Sequence, residues 1–207
     1  MGALIQARPI FSKPSKMPCP SWSLEAIATC PASKKPNGEL VDACANCYAT
    51  KGFYRMKQVK TPRIHNRQDW KSDDWAVAMA DHIINYDYFR WFDSGDCYHI
   101  LLAQKILRVM ELTPNTKHWM PTRMHKFEKF IPILDKMHSL PNVVVRLSSD
   151  SINGGIIAGD CTSTIIPSES LAPINVKVCK APDNKGKCGD CRNCWDKSVK
   201  TVGYIHH

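Results

Sequence analysis

The sequence contains no hydrophobic run long enough to cross a membrane, and its first eighteen residues have no apolar core of the kind that a secretory signal peptide requires. It also contains no long internal repeat and no low-complexity linker. From these absences we expect neither a transmembrane protein nor a repeat protein. We therefore expect a cytoplasmic protein, in which thiols stay reduced.

Length and hydrophobic content set the number of domains. The chain has 207 residues, of which 43% are hydrophobic, so it can build one sizeable core and is short for two. We expect a single α/β domain over residues 1–207. Its parts would be an N-terminal cysteine-rich segment (1–60), strand-helix repeats (61–178), and a C-terminal cysteine-rich segment with the last strand (179–207).

Cysteine, in contrast, is abundant, with ten in the chain. Four of them follow the pattern C-x8-C-x2-C-x2-C near the C-terminus. Closely spaced cysteines of this kind are typical of loops that bind a 4Fe-4S cluster together with a fourth thiolate from elsewhere. Zinc would more naturally use two separate C-x2-C knuckles, whereas here the middle cysteine would belong to both. We predict a 4Fe-4S cluster on Cys179, Cys188, Cys191 and Cys194, with zinc as the second choice.

A second set of cysteines lies near the N-terminus. Cys44 and Cys47 are separated by two residues, and Cys30 precedes Cys44 by a polar, turn-rich loop that can fold back. This spacing predicts a second cluster. Cys19 either completes its coordination or is an ordinary half-buried thiol. The difference matters because a fully ligated cluster mostly transfers electrons, whereas an iron without a cysteine ligand can bind a small molecule.

The net charge is consistent with two clusters. The formal charge is +9 with cysteines counted as neutral. Each four-thiolate cluster carries roughly −2, so two clusters would bring the total to about +5. The basicity is then partly a counter-charge, which weakens an inference of nucleic-acid binding. Six lysines surround the C-terminal cysteines: Lys177, Lys180, Lys185, Lys187, Lys197 and Lys200.

The segment between the two cysteine sets alternates between helical and strand patterns. Ser72 is predicted to cap the first helix, which has Trp75, Met79 and Ile83 on one face. Pro132 is predicted to kink the third helix. The predicted strands are 88–92, 118–120 and 143–147, with helices at about 97–111 and 126–138, and short strands are plausible at 164–166, 175–178 and 199–205.

Strands separated by helices of about a dozen residues must run parallel. The predicted fold is a shortened or partial (β/α) barrel with parallel strands, plus cysteine-rich N- and C-terminal loops. Ser94, Asp96, Arg123 and Asp150 follow the ends of successive strands and would meet at the rim where such folds bind ligands. Asp96, Arg123 and Asp150 are the candidate catalytic residues. Taken singly, each also fits a helix cap, a surface cation or a turn.

A combination of short motifs resembles the phage-encoded gene product 88 family and extends over almost the whole chain. The resemblance implies a phage origin, and therefore the host cytoplasm, and it implies no particular reaction. The motifs are Trp22-Ser23-Leu24, Thr29-Cys30-Pro31, Cys44-x2-Cys47-Tyr48-Ala49, Gly52-Phe53-Tyr54, Ser94-Gly95-Asp96, Cys188-x2-Cys191-x2-Cys194-Trp195 and His206.

The chain is also similar, more distantly, to the radical S-adenosylmethionine barrels, because three N-terminal cysteines precede strand-helix units and an auxiliary cysteine set follows them. Its spacing is C-x13-C-x2-C where that superfamily has C-x3-C-x2-C, and it has no Gly-Gly-Glu segment. The resemblance implies that an open iron on the N-terminal cluster binds S-adenosylmethionine. Asp96 or Asp150 would bind the amine or ribose of that cofactor, and Arg123 its carboxylate.

The function that we predict from the sequence is an iron–sulfur protein with two clusters. It would be a redox carrier with an electron-transfer protein as its partner, or a structural phage protein whose clusters stabilise a small fold. The radical S-adenosylmethionine-like enzyme is the first alternative, and a zinc-bearing nucleic-acid-binding protein that stacks bases on Trp70 is the second. Its basic stretch of Arg63, His65, Arg67 and Lys71 also fits an ordinary solvated face.

Overall fold

The structure is a computed structural model and describes residues 7–206. Within them, eight strands form one sheet, in the order β1-β2-β3-β4-β5-β6-β8-β7. The strands are β1 (Phe11–Ser12), β2 (Ser21–Trp22), β3 (Tyr88–Trp91), β4 (Lys117–Thr122), β5 (Val143–Ser148), β6 (Thr162–Ile166), β7 (Val176–Val178) and β8 (Thr201–Ile205). The α-helices are α1 (Asp42–Ala45), α2 (Lys57–Asp69), α3 (Trp75–Ile83), α4 (Ile100–Leu112) and α5 (Ile131–Ser139).

Neighbouring strands are parallel throughout the sheet, except that β1 and β2 are antiparallel. The α/β class and the mostly parallel sheet are therefore confirmed. In the described strands no pairing closes the sheet between β1 and β7.

One face of the sheet is covered by α3, α4 and α5. Each helix has apolar residues three or four positions apart, which line up on the side that faces the sheet. Trp75 and Met79 of α3, and Ile106 of α4, are fully buried against Phe89 and Trp91 of β3 in one apolar core. The periodic pattern of the sequence thus predicted these helices correctly.

The helices differ from the sequence-based prediction in two starting positions and in the effect of one proline. α3 begins at Trp75 rather than after Ser72. α4 begins at Ile100, where the His99 ring accepts a hydrogen bond from the Leu101 amide. Pro132 lies in the first turn of α5 and causes no kink, because a proline there sacrifices no helical hydrogen bond.

Four elements in the N-terminal part of the described chain were not predicted, namely β1, β2, α1 and α2. α2 was missed because its buried residues are the polar Arg63 and Asn66, so the helix has no apolar stripe. The strand-helix alternation was expected to continue to residue 178, yet in the described chain no α-helix follows β5. None of the helices in residues 7–206 has the length and apolar character needed to span a bilayer.

The opposite face of the sheet, here called the second face, is covered by irregular segments instead of helices. Because side chains alternate along a strand, Trp119 of β4 lies on this face, where it packs with Met17, Cys19 and Trp195. Arg146 of β5 is fully buried. Its guanidinium donates to the carbonyl oxygens of Thr162, Asn193, Asp196, Val199 and Lys200.

The loop after β3 contains a glycine that no other residue can replace without strain. Gly95 has a φ of +78°, and a Cβ there would lie 2.6 Å from the Leu24 Cβ and 2.7 Å from the Thr29 Oγ1. Gly38 has a similar φ of +87° but faces open space. We expect Gly95→Ala to destabilise the protein by roughly 1–3 kcal/mol more than Gly38→Ala in urea unfolding, since only the first adds a steric clash. Equal losses would show that the loop moves freely away from Leu24.

Candidate functional site

Loops from neighbouring strands meet at the carboxyl end of the parallel sheet. The loop after β2 is tied to the loop after β3, because the Leu24 amide donates to the Ser94 carbonyl (3.0 Å) and the Asp96 amide to the Thr29 carbonyl (3.1 Å). The Arg123 amide, directly after β4, donates to the Asp96 Oδ2 (2.9 Å). The predicted convergence of these loops is therefore present.

The loop after β5 joins the same group. The Arg123 guanidinium donates from Nε to the Asp150 Oδ1 (3.2 Å), and the Lys126 Nζ donates to the Asp150 Oδ2 (2.7 Å). The backbone carbonyl of Asp150 accepts from the Ala43 amide of α1 (3.0 Å). This bond attaches the segment that contains Cys44 to the end of β5.

Three cysteines lie at this end of the sheet, and we call Cys30, Cys44 and Cys47 the first cysteine site. Cys30 precedes a short 3-10 turn, Cys44 lies in α1, and the Cys47 amide donates to the Cys44 carbonyl (3.1 Å). The pKa of Cys30 is raised to about 12, mainly by burial and in part by the charges of Asp96, Cys44 and Cys47. The three thiols and the Asp96 carboxylate thus share one environment.

Charged residues at the carboxyl end of the sheet affect the pKa of the Cys44 thiol. Its pKa is raised first by burial, while the Arg123 guanidinium lowers it and Asp150 and Asp96 raise it. Thiols with raised pKa values stay protonated at neutral pH in the absence of a metal. A bound metal deprotonates them, so metal binding would release protons.

The predicted ligand-binding residues differ in how much hydrogen-bonding capacity they retain. The Asp96 carboxylate is buried and accepts from the Thr122 hydroxyl (2.7 Å) and the Cys97 amide (2.7 Å), besides the Arg123 amide. The Ser94 hydroxyl donates to the Leu24 carbonyl (2.7 Å). Ser94 and Asp96 therefore hold loops together. The Asp150 side chain is 39% exposed and that of Arg123 is 20% exposed, so these two can reach a ligand.

A buried network around Asp93, which no sequence pattern predicted, fixes the N-terminal cysteine segment. The Arg63 guanidinium donates to both Asp93 carboxylate oxygens (2.9 and 3.1 Å). The Tyr54 hydroxyl donates to the Asp93 Oδ2 (3.1 Å), and the Tyr48 hydroxyl donates to the Asp93 carbonyl. The position of Tyr48 directly after Cys47 is the sequence feature that could have indicated its contact with Asp93.

Two of the residues proposed for nucleic-acid binding are not presented as that hypothesis requires. Arg63 is 5% exposed and pairs with Asp93, so it belongs to the interior rather than to a solvated face. Trp70 is 5% exposed, and its ring nitrogen donates to the Tyr98 hydroxyl (3.2 Å). Neither residue is free to contact a phosphate or stack on a base.

The C-terminal cysteines lie on the second face of the sheet. The Cys188 amide donates to the Lys16 carbonyl (2.8 Å), and the Cys194 thiol lies 3.4 Å from the Tyr204 hydroxyl. Cys179 follows β7, and its amide donates to the Gly203 carbonyl of β8 (2.8 Å).

Cys19 packs with these cysteines, in one apolar cluster with Cys188 and Cys194, and not with Cys30. From the sequence, Cys19 was predicted to be a ligand of the N-terminal set or an ordinary half-buried thiol. We call Cys19, Cys179, Cys188, Cys191 and Cys194 the second cysteine site.

Cations surround the second cysteine site. Burial raises the pKa of Cys19 to about 12, and the Arg90 guanidinium acts in the opposite direction. Burial likewise raises the pKa of Cys194 to about 11, which Arg146 and Arg90 oppose. Arg90 lies 4.5 Å from the centre of the Trp119 ring, and its Nε is buried with no acceptor in residues 7–206. The site is therefore electrostatically suited to an anionic group.

Within residues 7–206, no three His, Cys, Asp or Glu side chains converge closely enough to hold a single metal ion. A 4Fe-4S cluster makes a different demand, because each thiolate binds a different iron. The finding therefore applies to a site for a single ion such as zinc, and not to a site for a 4Fe-4S cluster.

The buried Arg63–Asp93 pair is expected to contribute strongly to stability. Arg63→Met would leave the Asp93 carboxylate buried without its cation, which typically costs about 3–5 kcal/mol. Arg108→Met removes the exposed partner of Glu111 and serves as the matched control, with an expected loss below about 1 kcal/mol. Urea unfolding of the two variants measures the difference. Similar small losses would show that water reaches Asp93.

Comparison with known proteins identifies the family. The family model described as Gene product 88 matches residues 4–197. No curated protein and no solved structure matches the chain. The family match covers most of the sequence, in agreement with the resemblance of its motifs. The chain belongs to the phage gene product 88 family.

Proposed function

We propose that the protein is an iron–sulfur enzyme related to the radical S-adenosylmethionine barrels. In this proposal the first cysteine site holds a 4Fe-4S cluster that has one iron without a cysteine ligand, and the second cysteine site holds another cluster. The observation that supports it is the position of Cys19. Because Cys19 packs with Cys188 and Cys194, and Cys97 is buried in the apolar core, the cysteines that we assign to the first cluster are Cys30, Cys44 and Cys47. Three thiolates leave one iron open to a small molecule.

The surroundings of the first cysteine site fit a ligand of mixed charge. The site lies at the carboxyl end of parallel strands, where open α/β sheets and barrels bind their ligands. The Arg123 guanidinium can bind a carboxylate, and the partly exposed Asp150 can bind an ammonium group. S-adenosylmethionine has both groups, and when bound it would supply a sulfonium that one electron can cleave. In this proposal the parallel strands form a partial barrel that surrounds the site.

Clusters suit the two cysteine sites better than zinc does. A structural zinc ion needs four ligands on one tetrahedral centre, and the first cysteine site offers three cysteines. At the second site, the cations that oppose the raised thiol pKa values would compensate a cluster charge of roughly −2.

A second candidate function, a two-cluster redox carrier, uses the same cysteines. The packing of Trp119 and Trp195 against Cys19 favours it, because a cluster enclosed by aromatic side chains is suited to electron transfer and not to substrate binding. In a carrier the first cluster would bind no cofactor.

The two candidates make different predictions for iron content and cofactor response. We expect about eight irons and eight sulfides per chain in anaerobically purified protein, with visible and electron paramagnetic resonance spectra that change when S-adenosylmethionine is added. Cys30→Ala should lose about four irons together with the spectral response. Cys19→Ala should retain the response, because the first cluster stays intact.

Cys161→Ala is the control, since this buried thiol lies outside both cysteine sites and its removal should change neither iron nor response. Full iron content without any response to S-adenosylmethionine would contradict the enzyme and support the carrier. Stoichiometric zinc without sulfide would contradict both.

A further inference from the structure

The second cysteine site has five thiols, whereas a 4Fe-4S cluster takes four. We propose that Cys19, Cys179, Cys188 and Cys194 hold its cluster, and that Cys191 is a free thiol at the surface. This inference rests on the proposed function, because it assumes a cluster at that site. It replaces the ligand set predicted from the C-x2-C-x2-C spacing, in which Cys191 was a ligand and Cys19 was not.

Three of the proposed ligands are in direct contact with the buried part of the second face. Cys19 is 7% exposed and packs with Trp119 and Trp195, and the side chains of Cys188 and Cys194 pack against the same cluster. The Cys188 amide is tied to the chain just before Cys19 through the Lys16 carbonyl (2.8 Å). These three thiols thus approach one another from two distant parts of the sequence.

Cys179 completes the set from the edge of the sheet. Its amide donates to the Gly203 carbonyl, so it lies beside Tyr204, whose hydroxyl contacts the Cys194 thiol at 3.4 Å. Cys179 therefore lies near Cys194, at the edge of the sheet where β7 and β8 pair.

Cys191 has a different environment. It is exposed, whereas the other four cysteines of the site are buried or partly buried. Its amide donates to the Cys188 carbonyl (3.1 Å), and its carbonyl accepts from the Arg192 guanidinium (2.9 Å). Arg192 in turn stacks on the Tyr88 ring at 5.1 Å. These backbone contacts hold the turn in a position that leaves the Cys191 side chain in solvent.

Arg90 supplies an independent reason to include Cys19. The guanidinium lies between the Met17 sulfur (3.5 Å from Nη1) and the Trp119 ring, and its buried Nε has no acceptor in the described chain. A buried donor without a partner is costly. A cluster bound through Cys19 would place thiolate and sulfide acceptors beside this cation, which would satisfy the donor and reduce the cluster charge.

The wild-type protein provides the first test, which requires no variant to fold. The anaerobic protein is alkylated with iodoacetamide before and after its iron is removed by a chelator, and the modification rate of each cysteine is followed by mass spectrometry. Ligated thiolates are protected by the metal, whereas a free exposed thiol reacts in both states. We expect the rate at Cys191 to change less than about two-fold, and the rates at Cys179 and Cys188 to rise at least ten-fold.

Protection of Cys191 that is lost with the iron would overturn the proposal. If only Cys30, Cys44 and Cys47 respond to iron removal, the second cluster and this inference fail while the first cluster stands. If no cysteine responds, the proposed function fails as well.

A pair of variants tests the assignment of Cys19 directly. Cys191→Ala should keep the full iron content, whereas Cys19→Ala should lose about four irons. Cys161→Ala again controls for loss of a buried thiol. Loss of iron from Cys191→Ala with retention in Cys19→Ala would contradict the assignment. If Cys19→Ala does not fold, the wild-type alkylation rates and the Cys191→Ala variant still decide the outcome.

Discussion

The buried carboxylate of Asp93 is the interaction on which the first cysteine site depends. It lies just after β3, where Arg63 of α2 neutralises it and Tyr54 donates to it. Tyr48 donates to its backbone carbonyl and thereby anchors the residue next to Cys47. An ion pair that is removed from water needs hydrogen bonds on its remaining lone pairs, and the hydroxyls of Tyr54 and Ser23 donate them to the carboxylate. The N-terminal segment consequently has one position relative to the strand ends.

On the second face the buried charged group is a cation, and hydrogen bonds again hold it in place. Arg146 is fully buried, and its two Nη atoms donate to backbone carbonyl oxygens of β6 and of the C-terminal segment. The Nε atoms of Arg146 and Arg90 both lack an acceptor in the described residues. Arg146 thus holds the C-terminal segment in place through its Nη atoms, and Arg90 presents its cation to the thiols beside it. A site of this kind favours an anionic group, which in an iron–sulfur protein is the cluster itself.

The location of Cys19 links the two sites and bears on the choice between enzyme and carrier. With Cys19 at the second site, the first cysteine site retains three cysteines beside Arg123 and Asp150 at the carboxyl end of the sheet. The second site then has more thiols than a cluster requires. An incomplete set next to polar groups suits ligand binding, and an enclosed, surplus set suits electron storage or transfer.

Helices α3 and α4 and the parallel strands could be predicted from the sequence, because they follow from local periodicity. The convergence of Asp96, Arg123 and Asp150 could be predicted as well, because each residue follows the end of a strand. Tertiary structure alone decided that Arg63 and Trp70 are buried and that Cys19 joins Cys188. These contacts join residues far apart in the chain, and a polar side chain shows no periodic signal of burial when its partner is a distant charge. Spacing along a loop likewise cannot reveal which thiol faces solvent, since that depends on the surface against which the loop packs.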